Sequence, residues 1–148
     1  MKKQAYMIVA TLVLTTIASL ASAAKAQGNA NTGMVAHIPF EFSVGDKTLP
    51  AGEYTVRTVN ANSATKVLQI RSTSGSSSAF LMTRCVVGKL QDNAQLIFHR
   101  YGNEHFLAQA WMPADSFGMQ APKSRRVKGH ELARQTPTAE TLLLSRRR

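Results

Sequence analysis

Between Val35 and Met112 the chain changes character every few residues. Six runs rich in β-branched and aromatic residues, "VAHIPFEFSV", "TLPAGEYTV", "KVLQIRS", "SAFLMTRCVV", "AQLIFHRY" and "EHFLAQAWM", are separated by clusters of Gly, Asn, Ser and Asp. Several of the runs alternate. Ile38, Phe40, Phe42 and Val44 fall on one side of the first run, and His37, Pro39, Glu41 and Ser43 on the other. A period of two buries one face of a strand and wets the other, and closely spaced turn signals favour antiparallel neighbours. No helical pattern intervenes, so the expectation is an all-β domain of about six strands, an antiparallel sandwich or partly open barrel. Pro39 lacks the amide hydrogen that a central strand donates, which predicts an edge position or a bulge for the first strand. "SAFLMTRCVV" is apolar on both faces and predicts a central strand. Its cysteine, Cys85, is the only one in the chain and is expected to be buried as a small hydrophobe.

The ends differ from this middle. "MKKQAYMIVATLVLTTIASLASAAKAQ" sets two lysines before an apolar run and then small residues, the layout of a secretory signal peptide. The run is short for a membrane span, which takes roughly 20 apolar residues. Cleavage near Ala24 or Gln27 is expected, giving a signal peptide over 1–26, a flexible segment over 27–34, the β domain over 35–112, and a basic, partly disordered, irregular tail over 113–148. The mature protein is then exported, periplasmic or extracellular, with no membrane span. Charge separates the last two parts. From Gln27 to Pro122 there are seven basic and six acidic residues, whereas Lys123 to Arg148 holds eight basic and two acidic, out of a formal net charge of +10. One short helical stretch is expected in the tail, around Val127 to Arg134. "TLLLS" at Thr141 to Ser145 is expected either to add as a strand to an open sheet edge or to stay as an exposed apolar patch.

His99 and His105 flank Gly102-Asn103, and register decides what they can do together. A two-residue loop with glycine first suits a type II′ hairpin, pairing Tyr101 with Glu104, Arg100 with His105, His99 with Phe106, and Phe98 with Leu107. Side chains alternate, so the two imidazoles emerge on opposite faces. Catalytic zinc usually takes three protein ligands, and His37 is the only other candidate in the β region. No metal site and no cofactor are therefore expected. Cys85 sits among apolar residues that would raise its pKa, and no Gly-x-Ser-x-Gly elbow or phosphate loop occurs. The acidic residues are scattered near turns. No convergent nucleophile, base or carboxylate pair emerges, and a noncatalytic protein is expected.

Two groups of residues remain as binding candidates. Phe98, Phe106 and Trp111 can line a surface for a small apolar ligand, if they are not core. Lys123, Arg125, Arg126, Lys128, Arg146, Arg147 and Arg148 make the tail a candidate site for anionic polysaccharide or the envelope surface. Aromatic residues do not interleave with these cations, which disfavours specific nucleic-acid binding. The leading expectation is a structural, adhesive or binding module. Its alternatives are a carrier of a small apolar ligand, or a metal-assisted hydrolase using His37, His99 and His105.

The segments "HIPFEFSVGDKTLPAGEYTV", "FHRYGNEHFLAQAW" and "KSRRVKGHELAR" resemble a group of small exported proteins common in soil acidobacteria. That group carries an F-x-V-G-x-K-x-L-P-A-G-x-Y segment, an R-Y-G hairpin and a basic K-S-R-R stretch. The resemblance covers most of Val35 to Arg134 and has no counterpart for "TPTAETLLLSRRR". Its motifs are turn glycines, prolines and core aromatics. It implies a bacterial envelope setting and a β fold, and it supplies no catalytic residues.

Overall fold

The computed structural model describes residues 33–146, apart from 61, 62 and 64. The signal peptide, the segment from residue 27 to 32, Arg147, Arg148 and the side chain of Arg146 lie outside the described residues. Within them are twelve strands and one helix. In chain order these are β1 (Met34–Ile38), β2 (Phe42–Val44), β3 (Lys47–Leu49), β4 (Gly52–Thr58), β5 (Val67–Ser72), β6 (Ser78–Met82) and β7 (Arg84–Val87). There follow β8 (Gln95–Tyr101), β9 (Glu104–Trp111), β10 (Phe117–Gln120), α1 (Arg125–Leu132), β11 (Thr138–Leu143) and β12 (Ser145–Arg146).

The architecture is an all-β sandwich. One sheet has five strands in the order β12-β1-β4-β5-β6. The other has seven. Its main path is β11-β8-β9-β10-β7, and the β2-β3 hairpin joins it through a parallel pairing of β2 with the start of β9. Inward residues of both sheets form one core, in which Ile38, Tyr54, Val56, Leu68 and Ile70 face Phe42, Leu49, Leu96 and Phe98. All nine are under 2% exposed, and each such side chain contributes roughly 1.5–3 kcal/mol by leaving water. The rings of Phe42 and Tyr54 meet edge-on at 5.2 Å, and those of Phe42 and Phe98 at 5.5 Å. The Tyr54 hydroxyl does not go unpaired in this core. It donates to the Pro50 carbonyl at 2.6 Å.

Six predicted runs became more strands because three of them are broken where the chain passes from one sheet to the other. The first run leaves the five-stranded sheet at Ile38 and enters the seven-stranded one at Phe42. The second returns through Pro50 and Ala51, and the fourth crosses at the single residue Thr83. Strands that switch sheets at bends make the corners of a sandwich. Thr83 is buried, and its amide and hydroxyl both donate to the Lys66 carbonyl, at 2.9 and 2.8 Å. The alternation of side chains survives these corners; the backbone pairing does not.

Several expectations need correction on this account. Pro39 does not mark an edge strand, because it lies at the corner after β1, which has β4 on one side and β12 on the other. "SAFLMTRCVV" is not central. Its halves, β6 and β7, form an edge of each sheet, leaving Phe80, Met82 and Val87 exposed. Cys85 is exposed rather than buried, since among the described residues β7 has a neighbour only in β10. The chain after Pro113 is not an irregular tail among the described residues: it supplies β10, α1, β11 and β12. "TLLLS" does add to sheet edges. β11 pairs with β8, Leu144 passes its amide to the Ala94 carbonyl at 2.8 Å, and β12 pairs with β1.

Candidate functional site

The β8-β9 hairpin has the expected register. Gly102 has a φ of 60° at the turn, Tyr101 pairs with Glu104, Arg100 with His105, His99 with Phe106, and Phe98 with Leu107. Alternation then separates two sets of side chains. Phe98 and Leu107 enter the core, while His99, Tyr101 and Phe106 emerge on the outer face of the seven-stranded sheet. A register shift follows between Ile97 and Phe98.

The helix α1 covers that outer face. Ser124 caps its N-terminus, accepting from the Val127 amide at 3.3 Å. Val127 packs with Tyr101 and Phe106 in a small second apolar cluster. Polar contacts fix the helix further. The Glu104 carboxylate takes an ion pair from Arg126 and accepts His130 Nε2 at 2.7 Å. Arg126 also donates to Ser43 Oγ at 3.2 Å and Thr48 Oγ1 at 3.1 Å, with its guanidinium 5.2 Å from the centre of the Phe106 ring. His130 stacks on Tyr101 with ring centres 4.9 Å apart. The Arg126 hydrogen bond, above all, holds the Glu104 carboxyl below its ordinary range.

Beside this clamp lies a pocket of about 280 Å³ between α1, the hairpin face and the chain around Pro122 and Pro137. Its walls are mixed. Phe106 and Val127 are apolar, and Lys123 and Glu131 form an exposed ion pair at 2.8 Å. His99 and Tyr101 also line it. Burial pushes the His99 imidazole below its ordinary pKa of 6.5, so it is neutral at pH 7, and burial raises the Tyr101 phenol. The Tyr101 hydroxyl is buried with no hydrogen-bond partner among the described residues.

The predicted binding residues are not brought together. Phe98 is in the main core, Phe106 lines the pocket, and Trp111 lies on the outer face against Gly88 and Gly118. Of the predicted anion-binding residues, Lys123 is paired with Glu131 and Arg126 with Glu104. Both serve the fold. Arg125 and Lys128 are exposed on α1 and make no ion pair among the described residues. Arg146 contributes backbone to β12. His37 is exposed on the five-stranded sheet, and His105 stacks against Phe40 with ring centres 3.8 Å apart, so the three histidines considered for a metal stand apart. No cluster of three or more His, Cys, Asp or Glu occurs among the described residues. His99, Tyr101 and Glu131 were not anticipated as a site. The signal for the first two was available in the register, which places them beside Phe106 and opposite Phe98.

No protein-family model, curated protein or solved structure matches the chain.

Proposed function

We propose that the chain is a noncatalytic, exported binding module of the bacterial envelope, and that its ligand is a small, mainly apolar molecule with one hydrogen-bonding group. This relocates the carrier reading from Phe98, Phe106 and Trp111 to the pocket beneath α1. The observation that carries it is the Tyr101 hydroxyl. A buried hydroxyl left without a partner costs roughly 1–3 kcal/mol, and a ligand that parts the side chains covering it and accepts from it would remove that cost. Phe106 and Val127 supply apolar wall, while neutral His99 adds a second donor or acceptor. Pockets that combine apolar wall with a few convergent polar groups suit small ligands.

The test compares cyclohexanone with cyclohexane, of similar shape but with and without an acceptor. The ketone should shift the His99 imidazole resonances in the NMR spectrum at millimolar concentration, and Tyr101→Phe should weaken that response several-fold. Neither molecule perturbing His99, both doing so equally in the unaltered protein, or an undiminished ketone response in Tyr101→Phe would remove the reading.

A further inference from the structure

A second concavity lies on the opposite side of the sandwich, on the outer face of the five-stranded sheet. It has a volume of about 430 Å³ and is walled by Arg57, Gln69, Arg71 and the Ser72–Gly75 turn. Register explains the grouping. Arg57 is opposite Gln69, and Thr55 is opposite Arg71, so the two arginines are diagonal neighbours on adjacent strands. Diagonal positions in a sheet stand about 7–8 Å apart, within reach of one ligand group.

Neither guanidinium is neutralised. Among the described residues no carboxylate lies within 4.0 Å of Arg57 or Arg71. Glu53 stands at the start of the same β4 and pairs with neither. Arg57 is half-buried, and its Nε donates to Gln69 Oε1, which orients the group while leaving its terminal nitrogens without an acceptor among the described residues. Arg71 has no side-chain hydrogen bond among the described residues. Two like charges on neighbouring strands repel, and an anion between them relieves the repulsion. The planar fork of arginine fits a carboxylate at two points.

The surroundings narrow the class of anion. Ser72, Ser74 and Ser76 join their hydroxyls in a chain, at 2.8 and 2.9 Å, along the rim. One strand over, Phe80 lies directly opposite Gln69 on β6 and is 62% exposed, with Met82 beyond it at 67%. A plate of apolar surface next to paired cations and hydroxyls fits a ring with one apolar face, several hydroxyls and a carboxylate. We infer that this groove binds acidic saccharide, with a uronate carboxylate held by Arg57 and Arg71 and a neighbouring sugar ring resting on Phe80. The site is independent of the pocket beneath α1, and it moves anionic-glycan binding from the C-terminal cations to the sheet.

The test is calorimetric titration of the whole chain with tetragalacturonate, against cellotetraose and inorganic phosphate, at two salt concentrations. The tetrauronate should bind, more weakly at high salt, and the neutral tetramer should not. Arg71→Gln, an exposed change that leaves the core untouched, should raise Kd about tenfold, the loss of one charge-assisted pair of roughly 1.4 kcal/mol. Phe80→Ser should weaken the tetrauronate and leave phosphate unchanged. The inference is overturned if the unaltered protein shows no tetrauronate binding. It is also overturned if Arg71→Gln binds undiminished while Arg125→Gln/Lys128→Gln does not, which returns the site to the helix. Phosphate binding as tightly as tetrauronate, with no effect of Phe80→Ser, reduces the groove to a simple anion site and overturns the saccharide assignment.

Discussion

Trp111 rests directly on the backbone of Gly118, where an added Cβ would sit 2.7 Å from the indole carbons. The pairing of Met119 with Ala110 puts these two residues side by side on the outer face, and Gly88 closes on the ring from β7's end. Here glycine serves close approach rather than an unusual φ. Gly118→Ala should therefore overpack the contact and destabilise by about 1–3 kcal/mol. Urea unfolding followed through the fluorescence of the single tryptophan measures it. A loss below a few tenths of a kcal/mol would mean that the indole moves freely.

Glu104 holds the helix by two side chains, Arg126 and His130. These groups are about 40% exposed for the carboxylate and the guanidinium, so the coupling from a Glu104→Gln, Arg126→Gln double-mutant cycle should be only about 0.5–1 kcal/mol. The carboxyl pKa is depressed, so this contribution is present above the ordinary value of 4.5 and is lost as pH falls through the folded-state value. The protection factor of the Val127 amide, taken relative to the free-chain rate at each pH, should fall a few-fold over that acid range in the wild type and stay at the lower value throughout in Glu104→Gln.

His99 gives the chain a second acid dependence at higher pH. Its pKa is lowered by burial, so below the ordinary 6.5 the unfolded chain takes up the proton first. Stability should fall as pH drops from 6.5 through the folded-state value, and His99→Gln should flatten that slope. Thermal midpoints measured between pH 7 and 5 report it. Equal slopes in the two proteins would place His99 in water.

Arg134 ends the helix in a left-handed conformation, with φ at 58°. Its amide donates to the Glu131 carbonyl and that of Gln135 to the His130 carbonyl, the paired bonds of a Schellman motif. An L-residue there costs roughly 1–2 kcal/mol, part of which glycine returns through its freer unfolded chain. Arg134→Gly should gain up to about 1 kcal/mol, and Arg134→Ala should gain nothing. Denaturant midpoints separate the two.

Cys85 is exposed in the structure. A disulfide reagent should label the native protein with one equivalent in minutes. Labelling that waits for denaturant would show that something covers β7.

The residues that alternate most strictly were also the most legible. Ile38, Phe42 and Val44 read as core from period alone and are buried, and the Gly102-Asn103 loop fixed the hairpin register. Sheet crossings were illegible because a strand that changes sheets keeps its alternation; nothing local at Thr83 distinguishes a corner from a continuous strand. Edge position was misread for the same reason, since apolar content reports contact with something and not with a particular neighbour. The C-terminal residues were hidden by composition. Their basic charges read as a solvated tail, yet Arg126 answers to Glu104, Ser43 and Thr48, partners that only the fold supplies. The pocket was half legible, through His99 and Tyr101 sharing a side with Phe106.

The pairing of Met34 with Arg146 ties the two ends of the described chain into one sheet, while β11, just upstream, occupies the flank of β8 in the other. A polypeptide delivered from its N-terminus therefore leaves both flanks vacant until Thr138 to Arg146 arrive. Such long-range closure is slow. A copy cut short before Thr138 would carry two unzipped borders, and self-association rather than simple loss of stability is the fate that geometry sets for it.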